Sequence, residues 1–414
     1  MMIRRNAKIL VLGAALVVAL PAVSSAQMSR VEGMAIQGDF IKDWSGIFTY
    51  TSQVANVGNL VYGELGNVNF PPVTFDRSVG AVIGNLWEGR LGTWAVHMRE
   101  QSPNIGQGDA SGSSGTDSLG GDPNVNTSES FDIMWGKKFG TTSFGLRVNR
   151  SNGRFLQQVG TTTTKTEADF TEADPNLSRN IVGVGGGIGF EMSPTSNVEF
   201  GVLWQNRTWV EDTPGVRNED KGASAYLFAG RAMWQWQPSI MVVPVVKYWK
   251  VDLGQQSTPT GGGATGLDED FKGWQVGAAG NWTLGSNDLF VLGVNVAQNK
   301  HTEQVGTPGQ DVEATQTFYP QMFGALETHV NSWLTLRFGA NKGVVQKLEV
   351  VQPNGDKTER TFQSFNMNLG AGVKVGNLQL DAILADDFPN NLPYFISGNQ
   401  TSDMFTKVTA TYPF

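Results

Sequence analysis

Residues 407–414, Lys-Val-Thr-Ala-Thr-Tyr-Pro-Phe, alternate one by one: Val408, Ala410, Tyr412 and Phe414 are apolar or aromatic, and Lys407, Thr409 and Thr411 between them are polar. A period of two belongs to a strand with one face in an apolar medium and the other in water. A single strand of this kind would also suit a soluble sandwich, so repetition decides. Upstream, Leu378, Leu380, Ala382 and Leu384 alternate with Gln379, Asp381, Ile383 and Ala385, and Leu334, Leu336, Phe338 and Ala340 oppose Thr335, Arg337, Gly339 and Asn341. Trp274, Val276, Ala278, Gly280 and Trp282 oppose Gln275, Gly277, Ala279, Asn281 and Thr283. Helical spacing would return polar residues every third or fourth position, and these segments do not.

Sixteen such strands are expected over 59–414, from one near 59–69 to one near 402–414, with 222–236, 239–252 and 270–284 among them. Their connections alternate between tight turns, such as 87–89, 193–195 and 285–286, and long polar loops, above all 100–127, 151–178, 253–269 and 387–401. The expected fold is therefore all-β: a transmembrane antiparallel β-barrel of about sixteen strands (about 14–18), with short periplasmic turns and long extracellular loops. Closure matters because an open sheet edge has no hydrogen-bond partners in lipid. Trp234, Trp236 and Trp282 fall at the short-turn ends of their strands, and Trp204, Trp209, Tyr248 and Trp274 toward the long-loop ends, as two interfacial belts require. In 181–192, Gly183, Gly185, Gly187 and Gly189 bare one face, which marks a bend or the close approach of another backbone.

Composition agrees. The 414 residues include 51 glycines, 12 tryptophans and no cysteine, and only 16% are charged. Lack of cysteine excludes disulfide scaffolds and thiol chemistry, and a pI near 5.1 excludes a nucleic-acid binder with a basic face. Residues 1–26 read as a signal peptide: Arg4, Arg5 and Lys8, an apolar run from Ile9 to Val23, then Ser24-Ser25-Ala26. The apolar run is short of the ~20 residues a spanning helix needs. Cleavage near Ala26 would leave 27–58 as an N-terminal segment ahead of the barrel.

The ending Tyr412-Pro413-Phe414 resembles the terminal strand by which bacterial outer-membrane barrels are recognised for assembly. That resemblance implies Val408, Ala410, Tyr412 and Phe414 as the assembly signal, and the assembly machinery, outer-membrane lipid and lipopolysaccharide as partners. Residues 27–58 carry Arg30-Val31-Glu32-Gly33-Met34-Ala35 and then Asp43-Trp44-Ser45-Gly46-Ile47-Phe48. This arrangement is similar to the N-terminal segment of FadL- and PorV-like barrels, which implies a segment tucked into the barrel or its periplasmic mouth. A periplasmic leader and a lumen plug both stay open for it.

The inward face should carry the function. Expected there, lining a pore, are Glu64, His97, Arg99, Asp132, Arg147, Glu199, Arg207, Arg231, Lys247, Glu327, Arg337, Asp381 and Lys407. Arg147, Arg207, Arg231 and Lys247 come from one run of strands, so a basic wall opposite Asp381 and Glu64 would set up a transverse field; the alternative is that the charges pair locally. His97 and Asp132 are raw material for acid–base chemistry, but no nucleophile, metal-ligand spacing or phosphate loop accompanies them, so neither an enzyme nor a cofactor is expected. A sixteen-strand barrel leaves an aqueous channel. The leading expectation is a porin-like pore for small hydrophilic solutes, with a homotrimer compatible with that class. The alternatives are FadL-like transport of hydrophobic compounds and a PorV-like barrel docking a secreted partner.

Overall fold

The computed structural model describes residues 29–66, 77–84, 86–87, 89–99, 129–156, 176–213, 216–220, 222–259, 265–285, 287–304, 310–385 and 407–414. The leader 1–26 and the loops 100–127 and 387–401 lie outside the described residues, as does most of 151–178. The described strands are β1 (Leu60–Gly66), β2 (Arg77–Ile83), β3 (Thr93–Arg99), β4 (Glu129–Phe139), β5 (Thr142–Leu156), β6 (Asn176–Ser193), β7 (Ser196–Thr213) and β8, in two pieces (Val216–Asp220 and Ser224–Gln237). They continue with β9 (Ile240–Pro259), β10 (Thr265–Leu284), β11 (Asp288–Gln304), β12 (Asp311–His329), β13 (Leu334–Val351), β14 (Lys357–Val375), β15 (Leu378–Ala385) and β16 (Lys407–Pro413). Both pieces of β8 pair with β7 and with β9, so they form one stave broken around Gly222, whose φ of 89° ends the first ladder.

All neighbours are antiparallel, and β16 closes the sheet: its Thr409 lies opposite Asp381 of β15 on one side and Glu64 of β1 on the other. Closure gives each strand a partner on both sides, so the wall has no edge to expose to lipid. The strands of Asp381 and Glu64 therefore flank the closing strand and do not meet each other.

The sequence period now has a physical meaning. On β7 to β11, Trp204, Phe228, Tyr248, Val276 and Leu292 face outward and are exposed, while their neighbours Leu203, Leu227, Lys247, Gln275 and Val291 face inward and are buried. Tyr226 pairs with Trp204, and Tyr248 with Phe228 and Trp274, giving an aromatic row toward the loops. Trp282, packed on Phe290 at 5.6 Å, belongs to the row near the turns. Trp274 and Trp282 are eight residues apart on β10, about 26 Å of strand at ~3.3 Å per residue. With a ~40° tilt the apolar band is then about 20 Å tall, close to the ~25 Å of membrane barrels. Trp209 is a correction to the expected belt: it lies on the inward side of β7, with the Arg207 guanidinium 5.9 Å from its ring.

Several strands run farther toward the loops than alternation indicates. β9 continues to Pro259 and β10 begins at Thr265, against the 239–252 and 270–284 expected, and β11 carries its ladder through His301 to Gln304. Beyond the bilayer both faces are wet, so the apolar period stops while the hydrogen-bonded ladder continues. Val294, opposite Ala278 midway along the band, gives a direct check. Val294→Arg should cost about 2–4 kcal/mol and Thr302→Arg, on the same face beyond the aromatic row, about 0–1. Denaturant unfolding in lipid vesicles measures both; equal costs would place the band elsewhere.

Candidate functional site: the filled lumen

Residues 29–57 lie inside the wall. The segment has a short helix α1 (Ser29–Glu32), tight 3-10 turns at Gly38–Phe40, Trp44–Phe48 and Thr51–Gln53, and a second short helix α2 (Val54–Val57). Asp43 starts the Trp44 turn, its Oδ1 accepting from the Ser45 backbone N–H at 3.0 Å and the Ser45 hydroxyl at 2.6 Å. Such short turns leave carbonyls without internal partners, and inward side chains of the wall supply the donors. Arg147 donates to the Phe48 carbonyl at 2.6 Å, Arg231 to Asp39 at 3.0 Å, Asn281 to Phe40 at 2.9 Å, Asn341 to Ala35 at 3.1 Å and Asn368 to Glu32 at 2.7 Å. At the start of the segment, Ser29 and Thr409 share a hydroxyl–hydroxyl hydrogen bond of 2.7 Å.

Glycines let the two backbones approach. A Cβ added at Gly145 of β5 would run into the Thr51 carbonyl, at Gly201 of β7 into the Thr49 carbonyl, at Gly339 of β13 into the Met34 carbonyl, and at Gly187 of β6 into the Ser52 nitrogen. On β6 this close approach accounts for Gly187, and the Ser52 side chain lies over Gly189, while Gly183 and Gly185 make room for neighbouring groups of the wall itself. Apolar contacts fill the remaining space: Phe40 packs on Phe323 at 4.7 Å, and Val31, Met34 and Ile41 join a buried cluster with Val243, Val245 and Val291.

Each of the thirteen residues expected on the inner face is buried, none more than 6% exposed. They do not form two opposed walls. Asp132 sits between Arg99 at 2.9 Å and Arg147 at 2.8 Å, and Phe48 lies against both guanidiniums, 5.4 and 5.6 Å from its ring. His97, opposite Asp132 in register, instead shares a hydrogen bond of 2.8 Å between its Nδ1 and the Tyr62 hydroxyl and is covered by the Phe48 ring, so the pair is not set up for acid–base work. Glu199 accepts from Arg231 at 2.8 Å and from Gln53 at 2.8 Å, while Lys247 bonds Asp39. Arg207 pairs with Asp220 at 2.7 Å. Arg337 bridges Glu327 at 2.6 Å and Asp381 at 2.7 Å, and Lys407 lies 3.2 Å from Glu64 and 3.0 Å from Glu32. Local pairing, much of it with the inner segment, replaces the transverse field.

Arg30 is the partner that inward-face reasoning missed. Its guanidinium grips Glu327 through two bonds of 2.9 Å and Asp43 through one of 2.7 Å, locking the start of the segment to the wall. It stands between two cavities on the turn side, of about 600 and about 520 Å3. The sequence signal was a lone arginine ahead of a barrel whose inner face holds acidic residues.

On the loop side of the segment the inner surface changes character. Ile181, Leu203, Ala225, Leu227, Trp249, Val251 and Phe271, contributed by β6 to β10, form one buried apolar cluster. The molecule is thus an outer-membrane-type barrel, its lumen occupied at mid-depth, with an apolar inner wall above. No protein-family model and no curated protein matches the chain. Among solved structures it is similar to the toluene transporter TbuX of Ralstonia pickettii (10% identity, 94% of this chain and 97% of that one, TM-score 0.37) and to a FadL homologue of Pseudomonas aeruginosa (11% identity, 94% and 98%, TM-score 0.43). It is also similar to the monoaromatic hydrocarbon channel CymD (11% identity, 95% and 98%, TM-score 0.38). Likeness this distant adds nothing to the barrel read from the strand pairings.

Proposed function

We propose that the protein admits hydrophobic compounds across the bacterial outer membrane, without acting as an open pore for hydrophilic solutes. The apolar inner wall above residues 29–57 carries this reading. A water-filled eyelet keeps its charges wet, whereas here they are buried in pairs with one another and with the inner segment, and beyond it β6 to β10 carry a contiguous cluster of Ile, Leu, Ala, Val, Trp and Phe. An apolar solute gains ~25 cal/mol for each Å2 it hides against such a wall, and a sugar gains nothing. The proposal includes export through the leader 1–26, assembly through the Tyr412-Pro413-Phe414 end, and lipid and lipopolysaccharide as surroundings; it assigns no catalysis.

Cells expressing the protein should accumulate a hydrophobic probe such as N-phenylnaphthylamine faster than cells lacking it. Leu227→Asp, which puts an unpaired charge into the apolar wall, should remove most of the gain while leaving the folded barrel in the membrane. Equal accumulation with and without the protein rejects the proposal.

A further inference from the structure

Beside the apolar wall, on the adjoining strands, stand three buried polar side chains that make no hydrogen bond. Asn149 and Ser151 of β5 are both 0% exposed, Ser130 of β4 is 4% exposed, and the Ser130 and Ser151 hydroxyls and both ends of the Asn149 amide lack partners. Single unpartnered polar atoms occur elsewhere on the inner face, but here three such residues stand together, with Ser151 directly opposite Ser130; an unmet buried polar group costs about 1–3 kcal/mol, and buried polar groups are nearly always paired. Ser151 lies opposite Ser130 on one side and Ile181 on the other, and Asn149 lies opposite Gly183. A Cβ at Gly183 would strike the Asn149 Oδ1, so the glycine makes the room in which the amide lies. From Gly183 the register passes through Gln205 and Ala225 to Val251 and Phe271, so the polar trio borders the apolar cluster on the same inward surface.

We infer that Ser130, Asn149 and Ser151 form a subsite for the head group of a small, otherwise apolar solute, and that this head is neutral and both donates and accepts, as a phenol or alcohol does. The inference rests on the proposed function and narrows its substrate class. Two hydroxyls and an amide offer donors and acceptors together, which suits a hydroxyl. Among the described residues the charges bordering the trio are already committed: Asp132, opposite Asn149, is held by Arg99 and Arg147, and Arg207 by Asp220. A carboxylate head would have to compete with Asp132 for the same guanidiniums. Ile181, directly opposite Ser151, and Leu203 on the next strand are the members of the apolar cluster within reach of a small solute whose head lies in the trio.

The test is equilibrium dialysis of the full-length mature barrel in lipid nanodiscs, corrected with empty nanodiscs, against 4-propylphenol, propylbenzene and 4-propylbenzoate. The phenol should bind at least about tenfold more tightly than the hydrocarbon, the discrimination expected where unmet polar groups gain a partner. Asn149→Leu should erase that preference, bringing the phenol's binding down to no tighter than propylbenzene's. Ser151→Ala, which removes one oxygen atom, should reduce the preference several-fold and keeps the test readable if the leucine variant does not fold. Equal binding of phenol and hydrocarbon, or an unchanged preference in both variants, overturns the subsite and leaves the proposed function standing. Tightest binding by the benzoate overturns the neutral head. Binding of none of the three overturns the subsite and the hydrophobic-solute reading together.

Discussion

The double variant Gly145→Leu and Gly201→Leu should turn a closed barrel into one that passes small sugars. Both glycines face inward, on β5 and β7, and an added Cβ at either collides with backbone carbonyls of Thr51 and Thr49. Backbone cannot turn aside as a flexible side chain can, so the inner segment must leave this part of the wall. Its departure breaks the contacts of Thr49–Gln53 with β5 to β7 and uncovers the charges beneath, which water then hydrates. The wall should survive, because its strand-to-strand ladder runs through backbone groups that leucine keeps. Vesicles containing the variant should swell in isotonic arabinose at rates typical of open sixteen-strand channels, against no measurable swelling for the unaltered protein. Gly63→Leu is the control: the nearest atom to a Cβ there is the Ser78 carbonyl at 3.9 Å, and its vesicles should stay tight.

The second large effect is on stability. Asp132 is 0% exposed and is the carboxylate between Arg99 and Arg147. Asp132→Asn keeps the shape and removes the charge, leaving two buried guanidiniums without that counter-ion. Removing one partner of a buried pair typically costs about 3–5 kcal/mol. The cost should appear as a lowered midpoint in urea unfolding from vesicles. Because Phe48 rests on the same two guanidiniums, the variant should also expose Trp44 and its neighbours to protease from the turn side before the wall unfolds. Asp212→Asn, which removes the exposed 3.3 Å contact with Arg217, should cost under about 1 kcal/mol, as surface pairs do. Equal costs for the two variants would mean that the triad does not bear on stability.

Much of the wall was legible because lipid on one side and water on the other impose a period of two on every strand. Sixteen staves follow from that period and from alternating turn lengths. Where both faces are wet, as at Gln256–Pro259 of β9, the period vanishes and the strand ends were read short. Which charges point inward was legible from the same alternation, but their partners were not. Arg30 and Glu327 are 297 positions apart and Ser29 and Thr409 are 380 apart, so no local pattern connects them. The glycine face of β6 did carry a signal, since residues without side chains imply something close, and Ser52 stands there. The apolar stretch Leu227, Trp249, Val251 and Phe271 was hidden for another reason. Leu227 alternates with Tyr226 and Phe228, which face lipid and are equally apolar, whereas Val251 and Phe271 stand between the charged Lys250, Asp252, Asp270 and Lys272, and only the register of three strands shows that its members meet. The sequence therefore favoured a wet pore, and the proposed dry route rests on contacts that only the three-dimensional arrangement brings together.

The most direct measurement is a planar-bilayer recording of the unaltered mature protein with single-molecule resolution. Residues 29–57 are held by hydrogen bonds and ion pairs from strands around the wall, so the inserted barrel should show no steady ionic conductance at modest voltage, while the Gly145→Leu, Gly201→Leu variant in the same bilayer should show discrete, lasting openings. A steady, ohmic conductance from the unaltered protein, comparable with that of the variant, would contradict a lumen closed by its own N-terminal segment.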